Sequence, residues 1–159
     1  MRAVLISTYD LGRQPFGLAS PAAFLRRAGH DVVCVDLTRT RLPEDAVRGA
    51  GLVALFLPMH TATRLALPVI DRVRAVNPEA HLCAYGLYAP LNASLLREHG
   101  VQTVLGPEFE ADLLALADSG ASGHSDQAGD SAAVALPRVA FIQPDRSSLP
   151  PLTKYASPT

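Results

Sequence analysis

The sequence has no long apolar run and no cluster of basic residues. No apolar stretch approaches the roughly 18 residues that a membrane-spanning helix requires, and the start, MRAVLISTYD, reaches polar and acidic residues too early for a secretory signal. The 14 basic and 15 acidic residues give a net charge of −1, and the basic ones are scattered. These features predict a cytoplasmic protein with no membrane segment and no general affinity for nucleic acid.

Cysteine is also scarce. Cys34 and Cys83 each lie in an apolar run, where cysteine usually behaves as a small core residue. Two cysteines so placed predict neither a disulfide framework nor a zinc site. An iron–sulfur cluster needs about four thiolates, or three with an open iron position. No two histidines have metal-ligand spacing. We therefore predict no protein metal ligand and no iron–sulfur cluster in this chain.

The composition is that of one globular domain followed by a polar segment. Hydrophobic residues make up 48% of the 159 residues and charged residues 18%, which is too apolar for disorder throughout. We predict a domain over residues 1–118, a flexible linker rich in Gly, Ser, Ala and Asp over 119–137, and a possible extra strand with a proline-rich tail over 138–159. The tail is expected either to pack on the domain or to reach another molecule.

Short apolar runs alternate with helical patterns along the predicted domain. The predicted strands are residues 3–7, 30–37, 52–57, 81–85 and 101–105. The first predicted helix has its N-cap at Ser20 and a proline, Pro21, at its first position, and continues through residues 22–28. The other predicted helices are residues 44–50, 64–76, 91–99, and one opened by Gly106-Pro107-Glu108. This order predicts an α/β fold: a doubly wound, flavodoxin-like (Rossmann-like) five-stranded parallel sheet with helices on both faces.

Ligands of such sheets bind beyond the carboxyl ends of the strands, where successive loops meet. The loops expected there are residues 8–17, 58–63, 86–90 and 106–110. They carry glycines, which allow close backbone approach, and flat side chains at Tyr9, Phe16 and Tyr88. These residues are better suited to a large planar ligand than to a small anion.

Two nucleotide or phosphate chemistries are disfavoured. The first loop lacks both G-x-G-x-x-G and G-x-x-x-x-G-K-[ST], the glycine patterns whose N–H groups hold phosphate. A phospho-acceptor receiver domain is also disfavoured, because Pro58 stands where the acceptor Asp is wanted and Leu105-Gly106 supplies no Lys. No nucleophile is paired with a general base, so we predict no catalytic residue.

Several loop residues have a structural alternative to a ligand role. Asp10 could accept ligand hydrogen bonds or shape the loop as an Asx turn. His60 could contact a ligand or a metal, or be a polar surface residue. Glu108 and Glu110 could act as carboxylates that favour a helix start. Arg13 could point into the cleft or into water, and the aromatic side chains could simply cover the sheet edge.

Three stretches resemble the N-terminal cobalamin-binding domain of cobalamin-dependent radical S-adenosylmethionine enzymes. Residues 56–90, FLPMHTATRLALPVIDRVRAVNPEAHLCAYGLYAP, are similar to the family's strand, loop, long helix, Asn-Pro turn and glycine-bearing fourth loop. Residues 105–116, LGPEFEADLLAL, are similar to its closing G-x-E-x-E-x-x-L-x-x-L signature. Residues 144–156, PDRSSLPPLTKYA, resemble the connector that precedes the catalytic barrel.

The resemblance implies a cobalamin-binding module that holds the corrin at the carboxyl edge of the sheet. It implies no lower axial His, because Asp10 is followed by Leu11, Gly12 and Arg13 instead of completing D-x-H-x-x-G. The cobalamin-binding residues it implies are Tyr9, Asp10, Leu11, Gly12, Phe16, Gly17, Met59, His60, Thr61, Thr63, Gly86, Leu87, Tyr88, Gly106 and Glu108.

The same resemblance implies a partner for catalysis. The C-x-x-x-C-x-x-C motif of the radical domain is absent, so the chain is not expected to be an enzyme alone, and a radical S-adenosylmethionine domain or subunit is its expected partner. An alternative is a cofactor-free protein-interaction domain derived from this fold. A small enzyme acting on a nucleotide or sugar has only the fold class in its favour.

Overall fold

The computed structural model describes residues 1–120 and 141–155. Its centre is a five-stranded sheet in which every neighbouring pair is parallel, in the order β2-β1-β3-β4-β5. The strands are β1 (Arg2–Ser7), β2 (Asp31–Asp36), β3 (Leu52–Phe56), β4 (His81–Tyr85) and β5 (Thr103–Leu105). The order reverses between β1 and β3, which is the switch point where doubly wound folds bind ligands.

Helices cover both faces of the sheet. They are α1 (Phe16–Arg27), α2 (Glu44–Arg48), α3 (His60–Val76), α4 (Ala93–Glu98) and α5 (Glu110–Asp118), with 3₁₀ turns at Pro90–Asn92 and Leu152–Lys154. Side chains of α1 and α5 pack with one face, and side chains of α2, α3 and α4 with the other. The predicted doubly wound, flavodoxin-like α/β fold is therefore confirmed.

The strands form because their side chains are apolar in both directions. Leu5 and Ile6 of β1 point to opposite faces and are both fully buried, as are Leu52 and Leu55 of β3. Sheets buried on both sides favour such uninterrupted apolar runs over alternation. Among the described residues, no helix has the length and apolar character needed to cross a membrane.

The predicted start of the first helix is wrong. Helix α1 begins at Phe16, so Pro21 lies inside it instead of at its first position. A proline inside a helix deprives the carbonyl four residues earlier, here that of Gly17, of its N–H donor. The buried hydroxyl of Tyr85 donates to this carbonyl over 2.8 Å, and the helix continues through the proline.

Other predicted bounds shift as well. Helix α3 begins at His60 instead of residue 64, which places Pro68 well past the first turn, and α5 begins at Glu110, after Glu108. Strand β5 is shorter than predicted, starting at Thr103, and the turn of Pro90–Asn92 replaces the first part of the predicted fourth helix. Of the possible extra strand, residues 141–143 form no strand. Residues 138–140 of that possible strand lie outside the described residues. Residues 121–137 of the predicted linker also lie outside them.

The C-terminal segment packs on the domain, which was one of the two expected outcomes. Leu149 is 8% exposed and joins the core between α1 and α5, and Tyr155 is also 8% exposed. The N–H of Asp145 donates to the carbonyl of Ala19 on α1 over 2.9 Å. This segment therefore runs along α1 toward the carboxyl end of β2.

Candidate functional site

The four loops predicted to meet at one edge do so. The hydroxyl of Thr8, after β1, donates to the carbonyl of Ala62 in the first turn of α3 over 2.8 Å. The N–H of Tyr88, after β4, donates to the carbonyl of Leu57, after β3, over 3.0 Å. The N–H of Gly86 donates to the carbonyl of Gly106, after β5, over 3.2 Å. These bonds join the loops into one surface, which we call the carboxyl edge.

Large apolar side chains on this edge are open to solvent. Leu11 and Phe16 follow β1 and are 60% and 54% exposed, whereas Leu87 and Leu91 follow β4 and are 59% and 75% exposed. Because β3 lies between β1 and β4, the two pairs stand on either side of the switch point. We call these four residues the apolar rim. Their exposure beside the switch point makes them candidate ligand contacts.

One residue of the apolar rim, Leu11, has a backbone conformation that is unfavourable for a residue other than glycine. Leu11 is the one non-glycine residue with positive φ, 50°, among those that the structure describes, and Gly12 follows at 73°. The N–H of Arg13 closes this turn on the carbonyl of Asp10 over 2.8 Å. A left-handed leucine costs about 1–2 kcal/mol, and such conformations cluster at functional sites. The turn exposes the Leu11 side chain to solvent, so packing of that side chain does not explain the unfavourable backbone conformation.

Below the rim, the space between α1, α5 and the sheet is filled by aromatic rings. Phe56 lies 5.5 Å from Tyr85 and 5.9 Å from Phe109, and Tyr85 lies 4.6 Å from Phe109, measured between ring centroids. Gly17 packs directly on Phe56, since a Cβ at that position would lie 2.3 Å from the ring. A planar ligand at this edge would therefore rest on the loops rather than insert beneath α1.

The predicted cofactor-binding residues fall into three groups. The exposed group is Leu11, Phe16, His60, Thr61, Leu87 and Glu108; the half-buried group is Tyr9, Asp10, Gly12, Met59, Tyr88 and Gly106; the buried group is Gly17, Thr63 and Gly86. Five of them were predicted in loops but lie in the first turns of α1 and α3, namely Phe16, Gly17, His60, Thr61 and Thr63.

The three buried residues have packing roles in the structure. Gly17 is enclosed by Phe56, as described above. The hydroxyl of Thr63 donates to the carbonyl of Met59 over 3.2 Å, within the first turn of α3. Gly86 has a φ of 109°, and a Cβ there would lie 3.0 Å from the carbonyl oxygen of Leu57. These residues shape the surface from below.

A pair of carboxylates lies at the β1 and β2 end of the edge. Asp36 is 1% exposed; its Oδ1 accepts from the N–H and hydroxyl of Thr38 over 3.0 and 2.7 Å, and its Oδ2 accepts from the hydroxyl of Tyr155 over 2.7 Å. Burial, and then repulsion from Asp36, raise the pKa of Asp10, while Arg13 lowers it. A carboxyl group whose pKa is raised in this way is a candidate functional group.

Sequence reasoning missed three residues near this edge: Gln14, Asp36 and Tyr155. Asp36 was foreseeable, because an acidic residue at the end of a parallel strand reaches the ligand edge. Its contact with Tyr155 joins positions 119 residues apart, and Gln14 contacts Pro150 across 136 residues. Neither pairing has a local sequence signal.

A cluster of metal-ligating side chains is absent from the described parts of the chain. Within residues 1–120 and 141–155, no three His, Cys, Asp or Glu residues are grouped so that they could hold a metal ion. Glu110, at the start of α5, accepts a 2.7 Å hydrogen bond from the Ser20 hydroxyl of α1. Cys34 and Cys83 are buried free thiols, and burial raises the pKa of both.

Comparison with known proteins supports the fold. No family model and no curated protein sequence matches the chain. Among solved structures, a response regulator from Burkholderia pseudomallei, with a phosphorylated aspartic acid, calcium ion and citrate, has a TM-score of 0.54 at 15% identity, over 72% of this chain and 64% of that chain. A response regulator from Thermotoga maritima has a TM-score of 0.53 at 14% identity, over 77% of this chain and 99% of its own. A flavodoxin from the domain Archaea has a TM-score of 0.52 at 14% sequence identity, over 76% of this chain and 99% of its own.

These similarities define the class of protein as a flavodoxin-like, doubly wound α/β domain. The match spans less than two thirds of the Burkholderia regulator, and identities near 15% show shared architecture only. The end of β3 differs from the pattern expected of a phospho-acceptor domain, because the strand ends at Phe56 and is followed by Leu57 and Pro58, none of which is a carboxylate. The comparisons therefore show the fold, and the residues of the carboxyl edge are the features of this chain that bear on its function.

Proposed function

We propose that this chain is the cobalamin-binding module of a radical S-adenosylmethionine type system, and that it is not catalytic alone. The observation that carries the proposal is the apolar rim, Leu11, Phe16, Leu87 and Leu91, exposed on both sides of the switch point. A corrin is a broad, flat macrocycle, and apolar side chains on loops that flank a switch point suit its face. The resemblance of residues 56–90, 105–116 and 144–156 supports the same assignment.

The residues of the edge fit a macrocycle held by apolar contact and backbone groups. Gly106 leaves open space, since a Cβ there would meet no atom within 4 Å. The exposed and half-buried residues of the candidate set would hold the corrin, with Tyr9, Met59 and Tyr88 beside the rim. The β1–α1 loop offers no His, so the protein would provide no lower axial ligand from that loop. Cobalamin, when bound, supplies a cobalt that exchanges a methyl group or an electron with a radical domain.

Binding of hydroxocobalamin to the purified chain tests this proposal. We expect retention in equilibrium dialysis at about 10–100 μM, with a change in the visible absorbance of the corrin. Phe16→Asp should weaken binding by about tenfold or more, because it places a charge where apolar contact is proposed.

Phe141→Asp is the matched control, because Phe141 is also an exposed phenylalanine, at 95%, but precedes the segment that runs along α1. It should bind as the unmodified chain does. No retention by the unmodified chain, or equal weakening by both substitutions, would overturn the proposal.

A cofactor-free protein-interaction domain is the second candidate. Leu87, Leu91 and Leu95 follow one another at intervals of four residues and are all exposed, the last at 38%. The buried side chains of Leu149 and Tyr155 make the C-terminal segment less suited to docking a partner. This candidate predicts that a radical S-adenosylmethionine or barrel-containing subunit copurifies with the chain without cobalamin and is lost in Leu91→Asp. Copurification that survives Leu91→Asp would exclude the surface formed by Leu87, Leu91 and Leu95 as the docking site.

The proposal also keeps the cytoplasm as the location of the protein. Free, buried thiols at Cys34 and Cys83 are compatible with a reducing compartment. Fractionation of cells that express the chain tests this location, and recovery outside the cytoplasmic fraction would contradict it.

A further inference from the structure

The C-terminal segment is fixed to the domain along its length. We define residues 144–155 as the strap. Arg26 of α1 pairs with Asp145 over 2.8 Å and also donates to the hydroxyls of Ser147 and Ser148 over 3.2 and 2.6 Å. Leu149 enters the core between α1 and α5. The strap is therefore a packed part of the fold.

Three strap hydrogen bonds reach the β1–α1 loop and its immediate support. Gln14 is held from both sides: its Nε2 donates to the carbonyl of Pro150 over 2.9 Å, and its Oε1 accepts from Arg146 over 2.5 Å. The Tyr155 hydroxyl donates to Asp36, the buried carboxylate that acts electrostatically on Asp10. The guanidinium of Arg39 lies over the Tyr155 ring, 5.1 Å from its centroid. The strap thus clamps the loop at Gln14 and its base at Asp36.

The turn at residues 10–13 of this loop has few contacts of its own that could hold its shape. One backbone hydrogen bond, from Arg13 to Asp10, closes it, and Leu11 within that turn is in the costly left-handed conformation. The side chains of Leu11 and Arg13 are exposed, so packing contributes little there. A loop of this kind opens readily unless other segments restrain it.

We propose that the strap positions the β1–α1 loop. By its hydrogen bonds to Gln14 and Asp36, the strap holds Leu11 in the loop and Phe16 at the start of α1 in their outward orientation. Restraining a binding loop in its bound shape strengthens binding, because less ordering remains to be done. Strap docking and ligand binding at the carboxyl edge are then coupled, and each favours the other by the same factor. The coupling to a ligand rests on the proposed function, whereas the ordering of the loop does not.

Trypsin cleavage after Arg13 reports on the loop without any ligand. The test compares the full chain with a triple variant, Asp145→Asn, Leu149→Ala and Tyr155→Phe, which removes three strap anchors. Cleavage of a native protein tracks the population of the locally open form. We expect cleavage after Arg13 to be about tenfold faster in the triple variant. Leu152→Ala, on an exposed strap residue, is the control and should leave the rate unchanged.

Cleavage after Arg97 on α4, remote from the strap, shows whether the domain stays folded. Unchanged cleavage after Arg13, with the strap itself cleaved rapidly after Arg146, would overturn the proposal. If the triple variant also loses protection at Arg97, the single Tyr155→Phe variant decides, and the proposal then requires faster cleavage after Arg13 with Arg97 protected.

Cobalamin titration of the same variants separates the two proposals. Cobalamin affinity should fall by about the same factor as loop protection. Failure of the unmodified chain to bind cobalamin overturns the proposed function, while the cleavage rates still decide whether the strap positions the loop. Loss of loop protection with unchanged cobalamin affinity overturns the coupling alone.

Discussion

The hydroxyl of Tyr85 donates a 2.8 Å hydrogen bond to the carbonyl of Gly17, the carbonyl that Pro21 leaves without a helical donor. In an α-helix each carbonyl accepts from the N–H four residues later, and proline has none. Tyr85 is fully buried at the end of β4, so a side chain of the sheet supplies what the helix lacks. The bond joins α1 to the sheet directly beneath the apolar rim.

This relationship predicts that Tyr85 and Pro21 are energetically coupled. Tyr85→Phe should lower the free energy of unfolding by about 1–3 kcal/mol, because the Gly17 carbonyl becomes a buried, unpaired acceptor. In a Pro21→Ala background the restored N–H can pair with that carbonyl, so the same substitution should cost less. Urea unfolding of the four combinations measures the difference. Tyr88→Phe is the control, and equal costs of Tyr85→Phe in both backgrounds would contradict the assignment.

Gly17 is also predicted to be intolerant of any side chain. A Cβ at position 17 would lie 2.3 Å from the ring of Phe56, which packs against Tyr85 and Phe109 and would have to shift. We expect Gly17→Ala to destabilise the domain by about 1–3 kcal/mol through overpacking. Gly106→Ala is the control, since its Cβ meets open space. Phe56→Leu should restore part of the loss in urea unfolding, and no restoration would mean that another contact is responsible.

The strands were predictable from sequence because their environment leaves a local mark. Residues of β1 and β3 are covered on both faces, which produces apolar runs bounded by polar or breaking residues such as Pro58. The convergence of the loops then follows from parallel pairing. For these reasons the fold class and the position of the carboxyl edge were obtained from sequence.

The helix starts were less predictable because tertiary contacts override local rules. Pro21 after Ser20 is typical of a helix start, yet Tyr85, 64 positions away from Pro21, supplies a donor that allows α1 to begin earlier. The exposure of Leu11 and Leu91 was likewise invisible, because sequence does not show which leucines find a neighbour. The pairing of Tyr155 with Asp36 depends on the whole domain being folded.

Strap docking should weaken in acid through one carboxylate. Hydrogen bonds from the side chain and N–H of Ser147 and from Arg26 lower the pKa of Asp145 to about 2, from an ordinary value of 3.8. A carboxylate whose pKa is lowered by folding contributes stability that is present above 3.8 and is lost as the pH falls toward 2. Asp145→Asn should therefore reduce the thermal midpoint at neutral pH, with a difference from the unmodified chain that shrinks below 3.8. A difference that is constant with pH would contradict this role.

The charge of Asp10 is predicted to lower stability at neutral pH, whereas that of Asp145 raises it. Burial, followed by repulsion from Asp36, raises the pKa of Asp10 above 3.8, so its charged form is less favourable in the folded protein than in the unfolded chain. Asp10→Asn should therefore stabilise the domain at neutral pH, and the gain should disappear as the pH falls below 3.8, where the carboxyl is protonated in both states. Thermal unfolding between acid and neutral pH measures this gain, with Glu108→Gln, on an exposed carboxylate of the same edge, as the control. A destabilised Asp10→Asn would show that the carboxylate holds the loop together. A stabilised variant that binds cobalamin more weakly would show a residue that lowers stability and serves the ligand, the trade-off expected at binding sites.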